Sequence, residues 1–210
     1  MHGDFLKVLF TVLLVMDPIG IIPQFLSVTS RYDNETRKAI VLKAVLIAGM
    51  VLLIFLLSGK FLLGFFGIKP GAFYISGGIL FFVIAFEMLY SRHRTSRSVH
   101  GEKSGDADDH TGISVAIFPL AIPFIAGPGL LTVIIMFANR GESWLYSTAM
   151  LLPAILIGLV ITFVVLRSSS LLLKFFGSMG IMVMEKIMGL ILAGFAVEFV
   201  YDGLVSLGIL

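Results

Sequence analysis

Cysteine is absent from this 210-residue sequence, and charged residues are scarce. The lack of cysteine excludes disulfides, thiolate metal sites and cysteine nucleophiles. Lysine, arginine, aspartate and glutamate make up only 13% of the chain and 58% is hydrophobic, whereas about a quarter of a soluble domain is charged. The net charge of +2 is too small to indicate a nucleic-acid partner. Lipid must therefore surround most of the side chains, as in a membrane protein.

The hydrophobic residues fall into six runs of about 20 residues, the length at which a helix crosses a hydrocarbon core of roughly 30 Å. The runs are Asp4–Val28, Ala39–Gly59, Gly71–Tyr90, Gly112–Ala138, Trp144–Leu166 and Glu185–Val205. The chain starts Met-His-Gly-Asp, which lacks the basic segment of a cleaved signal peptide, so we expect the first run to remain as a helix. The pattern predicts an all-α, multi-pass protein with six transmembrane helices.

A polar stretch between the third and fourth runs divides the chain into two halves. We predict a first three-helix unit at residues 1–91, a cytoplasmic linker loop at 92–111 and a second three-helix unit at 112–210. The loops after the first, third and fifth runs hold eleven of the fifteen lysines and arginines. Positive charge of this kind marks the cytoplasmic side. We therefore expect an inner-membrane protein with both termini on the non-cytoplasmic side.

The two halves also resemble each other in sequence. Phe65-Phe66-Gly67 recurs as Phe175-Phe176-Gly177 at a shift of 110, and a one-residue insertion reconciles this shift with later matches. At a shift of 111, Gly78, Glu87 and Tyr90 fall on Gly189, Glu198 and Tyr201. A unit of three crossings that is repeated once enters the membrane from opposite sides. The matches therefore predict two inverted repeats, an architecture typical of secondary transporters.

Proline and glycine interrupt the first and fourth runs near their middles. The first run contains Asp17-Pro18-Ile19-Gly20 and then Pro23; the fourth contains Pro119, Pro123 and then Ala126-Gly127-Pro128-Gly129. Proline inside a helix removes a backbone donor and costs about 3 kcal/mol, and backbone groups freed in lipid need protein or a wet cavity to satisfy them. The matched breaks predict two broken helices around a shared central cavity, although plain packing kinks remain the alternative.

Proline favours the first position of a helix, so we predict a half-helix that starts at Pro18 with Asp17 as its cap. A second would start at Pro128 with Gly127 as its cap, and would leave the amides from Gly129 to Leu131 free for an anion. This asymmetry suits an amino acid, with its ammonium near Asp17 and its carboxylate on the free amides. Asp17 could alternatively serve as a cap only. The predicted substrate-binding residues are Asp17, Pro18, Gly20, Gly127, Pro128 and Gly129.

These motifs resemble those of the MarC (UPF0056-type) family of bacterial and archaeal membrane proteins, as does Met188-Gly189-Leu190-Ile191-Leu192. The resemblance covers essentially the whole chain. The family often has arginine just before the Met-Gly-Leu segment, where Lys186 keeps the charge. The name derives from a multiple-antibiotic-resistance locus but does not imply drug export, and some related members are described as transporters of glycine and other small neutral amino acids. The resemblance implies such a transporter, with its site at Asp17, Gly20, Gly127 and Gly129.

Other functions fit the sequence less well. An intramembrane enzyme is disfavoured because every histidine lies outside the runs and no Gly-x-Gly-Asp or His-Glu-x-x-His motif occurs, so we predict no catalytic residue, metal or cofactor. A channel or an exporter of another small solute stays open, as does an oligomeric assembly. No nucleotide-binding motif is present, so any pumping would draw on an ion gradient, of protons or sodium, or on a partner subunit.

Two further groups of residues need an explanation. Glu87 and Glu198 occupy equivalent repeat positions, which favours interface anchors beside Tyr90 and Tyr201; proton coupling is the alternative, although inverted symmetry would place the pair too far apart for one site. Four glycines are predicted to lie where helices pack closely. They are Gly77, Gly78, Gly189 and Gly194.

Overall fold

The computed structural model describes residues 2–90, 112–139 and 144–210, and all regular elements in these ranges are helices, as predicted. They are α1 (His2–Met16), α2 (Ile22–Val28), α3 (Asn34–Phe66), α4 (Pro70–Tyr90), α5 (Ile113–Ile125), α6 (Pro128–Asn139), α7 (Trp144–Arg167) and α8 (Ser169–Ser206). The predicted linker at residues 92–111 lies outside the described residues. The first and fourth predicted runs are each interrupted near their prolines, the first between α1 and α2 and the fourth between α5 and α6.

Four of the described helices are long and apolar enough to cross a membrane, namely α3, α4, α7 and α8. A fifth crossing results if α5 and α6, which meet at a bend of 53°, are taken as one span. The apolar part of α1, Phe5–Met16, is too short to cross alone. The chain is therefore an all-α protein with four to five candidate spans by helix length and composition.

The long helix α3 begins and ends for reasons visible in its sequence. Asp33 precedes it with extended backbone and accepts a hydrogen bond from the Thr36 backbone amide at 3.3 Å, which is the geometry of an N-cap. Hydrogen bonds from Thr36, by its side chain and then its amide, stabilise the carboxylate and lower the pKa of Asp33 below its ordinary value. Gly67 ends α3 in the left-handed conformation, with φ 64°, which favours glycine.

The most extensive helix pair is α4 and α8, which run antiparallel with their backbones close together. A Cβ added at Gly78 would lie 2.7 Å from the Ala196 carbonyl oxygen, and one at Gly203 would lie 2.7 Å from the Gly71 carbonyl oxygen. A Cβ at Gly189 would lie 2.8 Å from Met88 Cβ. Because such short distances admit no side chain, the predicted close packing at Gly78 and Gly189 is confirmed.

The other two glycines of that prediction differ from each other. Gly77 faces α6, where an added Cβ would lie 3.3 Å from Met136 Sδ, so close packing is confirmed there too. Gly194 is exposed, and an added Cβ would meet no atom within 4 Å. The prediction for Gly194 was wrong because its face of α8 points away from every described helix.

The last predicted run, Glu185–Val205, is also shorter than the helix that forms there. No loop separates α7 from α8 beyond Ser168, and α8 is broken by non-helical backbone at Gly177, which has φ 66°. Gly177 thus ends a helix with a positive φ, as Gly67 does, and the two glycines are separated by the repeat shift of 110. The prediction placed the start of the sixth run too late because Lys174 and Lys186 interrupt the hydrophobicity.

Candidate functional site

The first helix break lies between Met16 and Ile22. Asp17 has a positive φ of 38°, which ends α1, although its amide still donates to the Leu13 carbonyl at 3.0 Å. Its side-chain Oδ1 accepts a hydrogen bond from the Gly20 amide at 3.1 Å, and its carbonyl accepts one from the Ile21 amide at 3.3 Å. Asp17 therefore stabilises the turn from residue 17 to residue 21 with both its side chain and its backbone carbonyl.

This geometry corrects one prediction and supports another. Regular α2 begins at Ile22, not at Pro18, and Pro23 stands in its first turn, where the missing N–H is tolerated. The reason is the positive φ at Asp17, which turns the following residues before the helix can start. The predicted bond from the Asp17 side chain is nevertheless present, three residues ahead to Gly20. A Cβ at Gly20 would collide with the Asp17 carboxylate, so a larger residue there would displace the Asp17 side chain.

The end of α1 is held by α7. Met16 is buried, and the Thr162 hydroxyl lies 3.0 Å from Met16 Sδ and 2.8 Å from the Gly158 carbonyl oxygen in its own helix. A Cβ at Gly158 would lie 3.2 Å from both Sδ and Cε of Met16. Met16 is thus held against α7 at Gly158, where the lack of a side chain makes space for it. This contact restricts the position of the next residue, Asp17.

The second break lies where Pro119, Pro123 and Ala126–Gly129 predicted it. Backbone at Phe118 and Ile122 is extended rather than helical, with φ −130° and −131°. Each residue directly precedes a proline, and a following proline disfavours the helical conformation. The Ala126 amide then bonds the Ala121 carbonyl at 2.8 Å, and α6 begins at Pro128 as predicted.

The amides at the start of α6 are only partly available. The Leu131 amide donates to the Gly127 carbonyl at 3.1 Å, so the expectation that it is free for an anion was wrong. Pro128 has no N–H. Gly129 and Leu130 stand in the first helical turn, where an amide has no acceptor within its own helix.

The two breaks adjoin inside the bundle. A Cβ added at Gly129 would lie 3.3 Å from Val15 Cγ1, two residues before Asp17, and 3.1 Å from Phe81 Cε1 near the middle of α4. Val15 and Phe81 therefore cover one side of the first turn of α6 with apolar side chains. They also bring the first turn of α6 beside the end of α1.

The six predicted site residues differ in how far the surrounding protein covers them. Pro18, Gly20 and Gly129 are buried, Asp17 and Gly127 are half-buried, and Pro128 is exposed.

Two neighbouring charged residues of α8 were not among the predicted site residues. Glu185 lies close enough to Asp17 for the two carboxylates to interact electrostatically. Lys186 donates from Nζ to the Met88 carbonyl oxygen near the end of α4, at 2.5 Å. The adjacent pair of charges in an apolar helix was a usable signal, but Glu185 was taken only as the first residue of the last run and Lys186 only as a cytoplasmic-side charge at the position of the family's arginine.

Glu87 and Glu198 lie on the exposed surfaces of α4 and α8 and take no part in this site. Among the described residues, no group of three or more histidine, aspartate or glutamate side chains is arranged to hold a metal ion. The region around Asp17 is thus defined by carboxylates, first-turn amides and small residues.

Several long apolar helices and a polar break inside the bundle define an integral membrane protein. The chain belongs to the MarC family: its residues 3–207 match the family described as MarC family integral membrane protein. It is 36% identical to the UPF0056 inner membrane protein YhgN of Escherichia coli K12 over 194 residues, 91% of each chain. A UPF0056 membrane protein of Buchnera aphidicola (subsp. Baizongia pistaciae) is 32% identical over 204 residues, 97% of each chain.

The family also extends to archaea. A UPF0056 membrane protein of Methanocaldococcus jannaschii is 34% identical over 194 residues, which cover 92% of this chain and 83% of the relative. No solved structure matches the chain. These relatives are named for their membrane location and not for an activity, so the function has to be argued from the site.

Proposed function

We propose that this protein is a secondary transporter that moves a small neutral amino acid, such as glycine or alanine, across the inner membrane. The observation that carries the proposal is the contact of Val15 with Gly129, which joins the two helix breaks beside the middle of α4. Broken helices that meet at mid-depth are how many secondary transporters form a solute site.

The proposal includes six crossings arranged as two inverted three-helix repeats, with α1–α2 and α5–α6 as the broken first and fourth crossings. Its support is geometric. The 33 residues of α3 precede Gly67, and the 33 residues from 144 to 176, which include the end of α7 at Arg167, precede Gly177; both glycines have a positive φ. The ring pair Phe65–Phe66 is edge-on at 5.3 Å, and its repeat equivalent Phe175–Phe176 is edge-on at 5.1 Å.

The α4–α8 contact has the same symmetry. A Cβ added at Gly78 on α4 would lie 2.7 Å from the Ala196 carbonyl oxygen on α8, and one added at the repeat equivalent Gly189 would lie 3.3 Å from the carbonyl oxygen of Ala85, the equivalent of Ala196. A pair of contacts that exchanges the two helices is what a two-fold axis between them produces. An axis in the membrane plane would give the two halves opposite orientations.

The site chemistry favours a small zwitterion. Asp17 spends one carboxylate oxygen on the Gly20 amide, and its other oxygen can accept from an ammonium group. The first-turn amides of Gly129 and Leu130 can donate to a carboxylate. An ionised aspartate at mid-membrane costs roughly 2.5–3.5 kcal/mol on insertion scales, which a purely structural cap does not require. The glycines and prolines of the two breaks are small residues, which favours a small solute.

The gradient that drives transport would be one of protons or sodium ions, because the sequence has no nucleotide-binding motif. Glu185 stands near Asp17 and is a candidate for binding the coupling ion. We also infer that both termini lie on the non-cytoplasmic side, from the distribution of lysine and arginine. Alternating exposure of the site would come from rocking of one repeat against the other.

Uptake of labelled glycine and alanine by proteoliposomes tests the proposal, with an imposed proton gradient, an imposed sodium gradient, or neither. Asp17→Asn keeps an acceptor for Gly20 but removes the charge, so we expect uptake to fall by roughly 10-fold or more, since a charge-assisted hydrogen bond contributes about 1.5–3 kcal/mol. Asp33→Asn is the matched control, because Asp33 makes the same three-residue-ahead bond at the start of α3, away from the site.

The outcomes separate the alternatives. Gradient-driven uptake that Asp17→Asn abolishes and Asp33→Asn spares supports the transporter. Downhill flux that ignores both gradients would indicate a channel. Absence of uptake for every small amino acid, in protein that remains folded, would overturn the proposed substrate class.

A further inference from the structure

Exposed aromatic side chains stand at repeat-equivalent positions on the outer faces of α4 and α8. Tyr90 is 70% exposed and Tyr201 is 55% exposed, and the two are separated by the repeat shift of 111. Tyr90 stacks on Phe86 with ring centroids 4.4 Å apart, which extends its apolar surface. Large exposed aromatic rings on a membrane protein are typical of the boundary between hydrocarbon and head groups.

The height of each tyrosine follows from the packing of α4 on α8. Gly78 lies level with Ala196, but its repeat equivalent is Gly189, seven residues earlier in an antiparallel helix. Moving one residue forward along α4 moves the level reached on α8 one residue back. The seven-residue difference therefore vanishes after half of seven residues, and a residue of α4 lies level with its own repeat equivalent between Phe81 and Phe82. Under the inverted-repeat topology this level is the membrane midplane.

Counting from that level places the tyrosines near the two boundaries. At 1.5 Å per residue, Tyr90 lies about 13 Å to one side of the midplane, and Tyr201 lies about 13 Å to the other. The two are thus about 26 Å apart, and the hydrocarbon core is roughly 30 Å thick. This agreement is independent of the uptake chemistry, because it uses only helix geometry.

A phenylalanine pair from the opposite repeat adds to each boundary. Phe65 and Phe66 are 73% and 66% exposed at the end of α3, beside the start of α4, which is the same end of the bundle as Tyr201. Phe175 is 81% exposed just before Gly177, and symmetry puts it at the end that holds Tyr90. A helix of 33 residues is about 50 Å long, so α3 exceeds the hydrocarbon core at ordinary tilts and its last turn reaches the head groups.

We propose that the protein has two lipid-contact clusters that fix it in opposite leaflets, one of Tyr201 with Phe65 and Phe66, and one of Tyr90 with Phe175 and Phe176. Each cluster contacts the boundary between head groups and hydrocarbon, where aromatic side chains are more stable than in water. Glu87 and Glu198 lie one helical turn inside the clusters, where their side chains can extend toward the head groups. The inference rests on the inverted topology of the proposed function but not on transport.

The single tryptophan of the chain makes a depth measurement practical. In a Trp144→Phe background, tryptophan is introduced one site at a time as Tyr90→Trp, Tyr201→Trp or Phe82→Trp. Purified protein is reconstituted into phosphatidylcholine that is brominated either near the head group or near the acyl chain end. We expect shallow bromines to quench the two tyrosine-site variants best and deep bromines to quench Phe82→Trp best, because Phe82 is exposed at the midplane level.

Leaflet assignment uses iodide added to one side of sealed vesicles in which the protein has mainly one orientation. Tyr90→Trp and Tyr201→Trp should respond to opposite sides, and Phe66→Trp, an independent variant, should respond with Tyr201→Trp. Quenching of both tyrosine-site variants from the same side, or stronger quenching of both by deep bromines, would overturn the proposal. Failure of amino-acid uptake with this pattern intact would overturn the transport function alone.

Discussion

A methyl group added at Gly78 tests the close contact of α4 and α8 directly. In the Gly78→Ala variant the new Cβ would lie 2.7 Å from the Ala196 carbonyl oxygen and 3.0 Å from the Val200 backbone nitrogen. Both of these atoms belong to the backbone of α8, so no side-chain rotation can relieve the clash. The two helices must move apart by a few tenths of an ångström, which disturbs every contact along the pair.

The size of the effect follows from two opposing contributions. Overpacking of this kind costs about 1–3 kcal/mol, while replacing glycine by alanine within a helix returns up to about 1 kcal/mol. We therefore expect Gly78→Ala to lower the free energy of unfolding by on the order of 1–2 kcal/mol. Gly194→Ala is the matched control, because it makes the same substitution on α8 where no atom lies within 4 Å. It should be neutral or stabilising by a fraction of 1 kcal/mol.

Reversible unfolding in mixed micelles, followed by circular dichroism as the fraction of denaturing detergent rises, measures the difference between the two variants. The reasoning predicts that Gly78→Ala unfolds at a lower detergent fraction than the unmodified protein and Gly194→Ala does not. Equal midpoints for the two variants would show that α4 and α8 are not in backbone contact at this level.

Three further substitutions test individual contacts in the same unfolding assay. Tyr74→Phe removes the buried hydroxyl that donates to an α6 carbonyl at 3.1 Å and should cost about 0.5–1.5 kcal/mol, whereas Tyr90→Phe, on the exposed face, should cost nothing measurable. Lys186→Met removes the charged donor to the α4 carbonyl and should cost about 1.5–3 kcal/mol, with exposed Lys174→Met as its control; equal midpoints would count against that bond. The pKa of Asp33 is lowered from 3.8 in the folded state, so its contribution is fully present above pH 3.8 and is lost as the pH falls through the folded pKa. Asp33→Asn does not titrate, so its stability should approach that of the unmodified protein only on acidification; a pH-independent difference would contradict the cap.

The helical architecture was predictable because lipid imposes simple rules. A spanning segment must satisfy its backbone internally, so hydrophobic length located α4 and α7 to within one residue, whereas α3 extends five residues before and seven residues beyond its predicted run. Proline located the two interruptions, since it removes a donor wherever it stands. In the structure, however, α2 begins at Ile22 rather than at Pro18. The positive φ at Asp17 that delays the helix could not be predicted from the positions of the prolines.

The tertiary surroundings of the site were less accessible to sequence reasoning. The position of Glu185 near Asp17 depends on how far α8 extends, and the lysines around it disguised the start of that helix. The exposure of Gly194 depends on which face of α8 meets α4, and glycine content alone carries no facing information. Periodicity finds helices, whereas only packing tells which of their polar residues share a cavity.

The central claim is that the joined helix breaks form a water-accessible hollow at mid-membrane depth, and the absence of cysteine allows a direct test. Single-cysteine variants Asp17→Cys and Phe82→Cys are treated in proteoliposomes with a charged, membrane-impermeant thiosulfonate, with Ser30→Cys in the exposed turn after α2 as a reactive reference. We expect Ser30→Cys and Asp17→Cys to react and Phe82→Cys, at similar depth on the outer face of α4, to stay unmodified. An Asp17→Cys thiol as unreactive as that of Phe82→Cys would contradict the account.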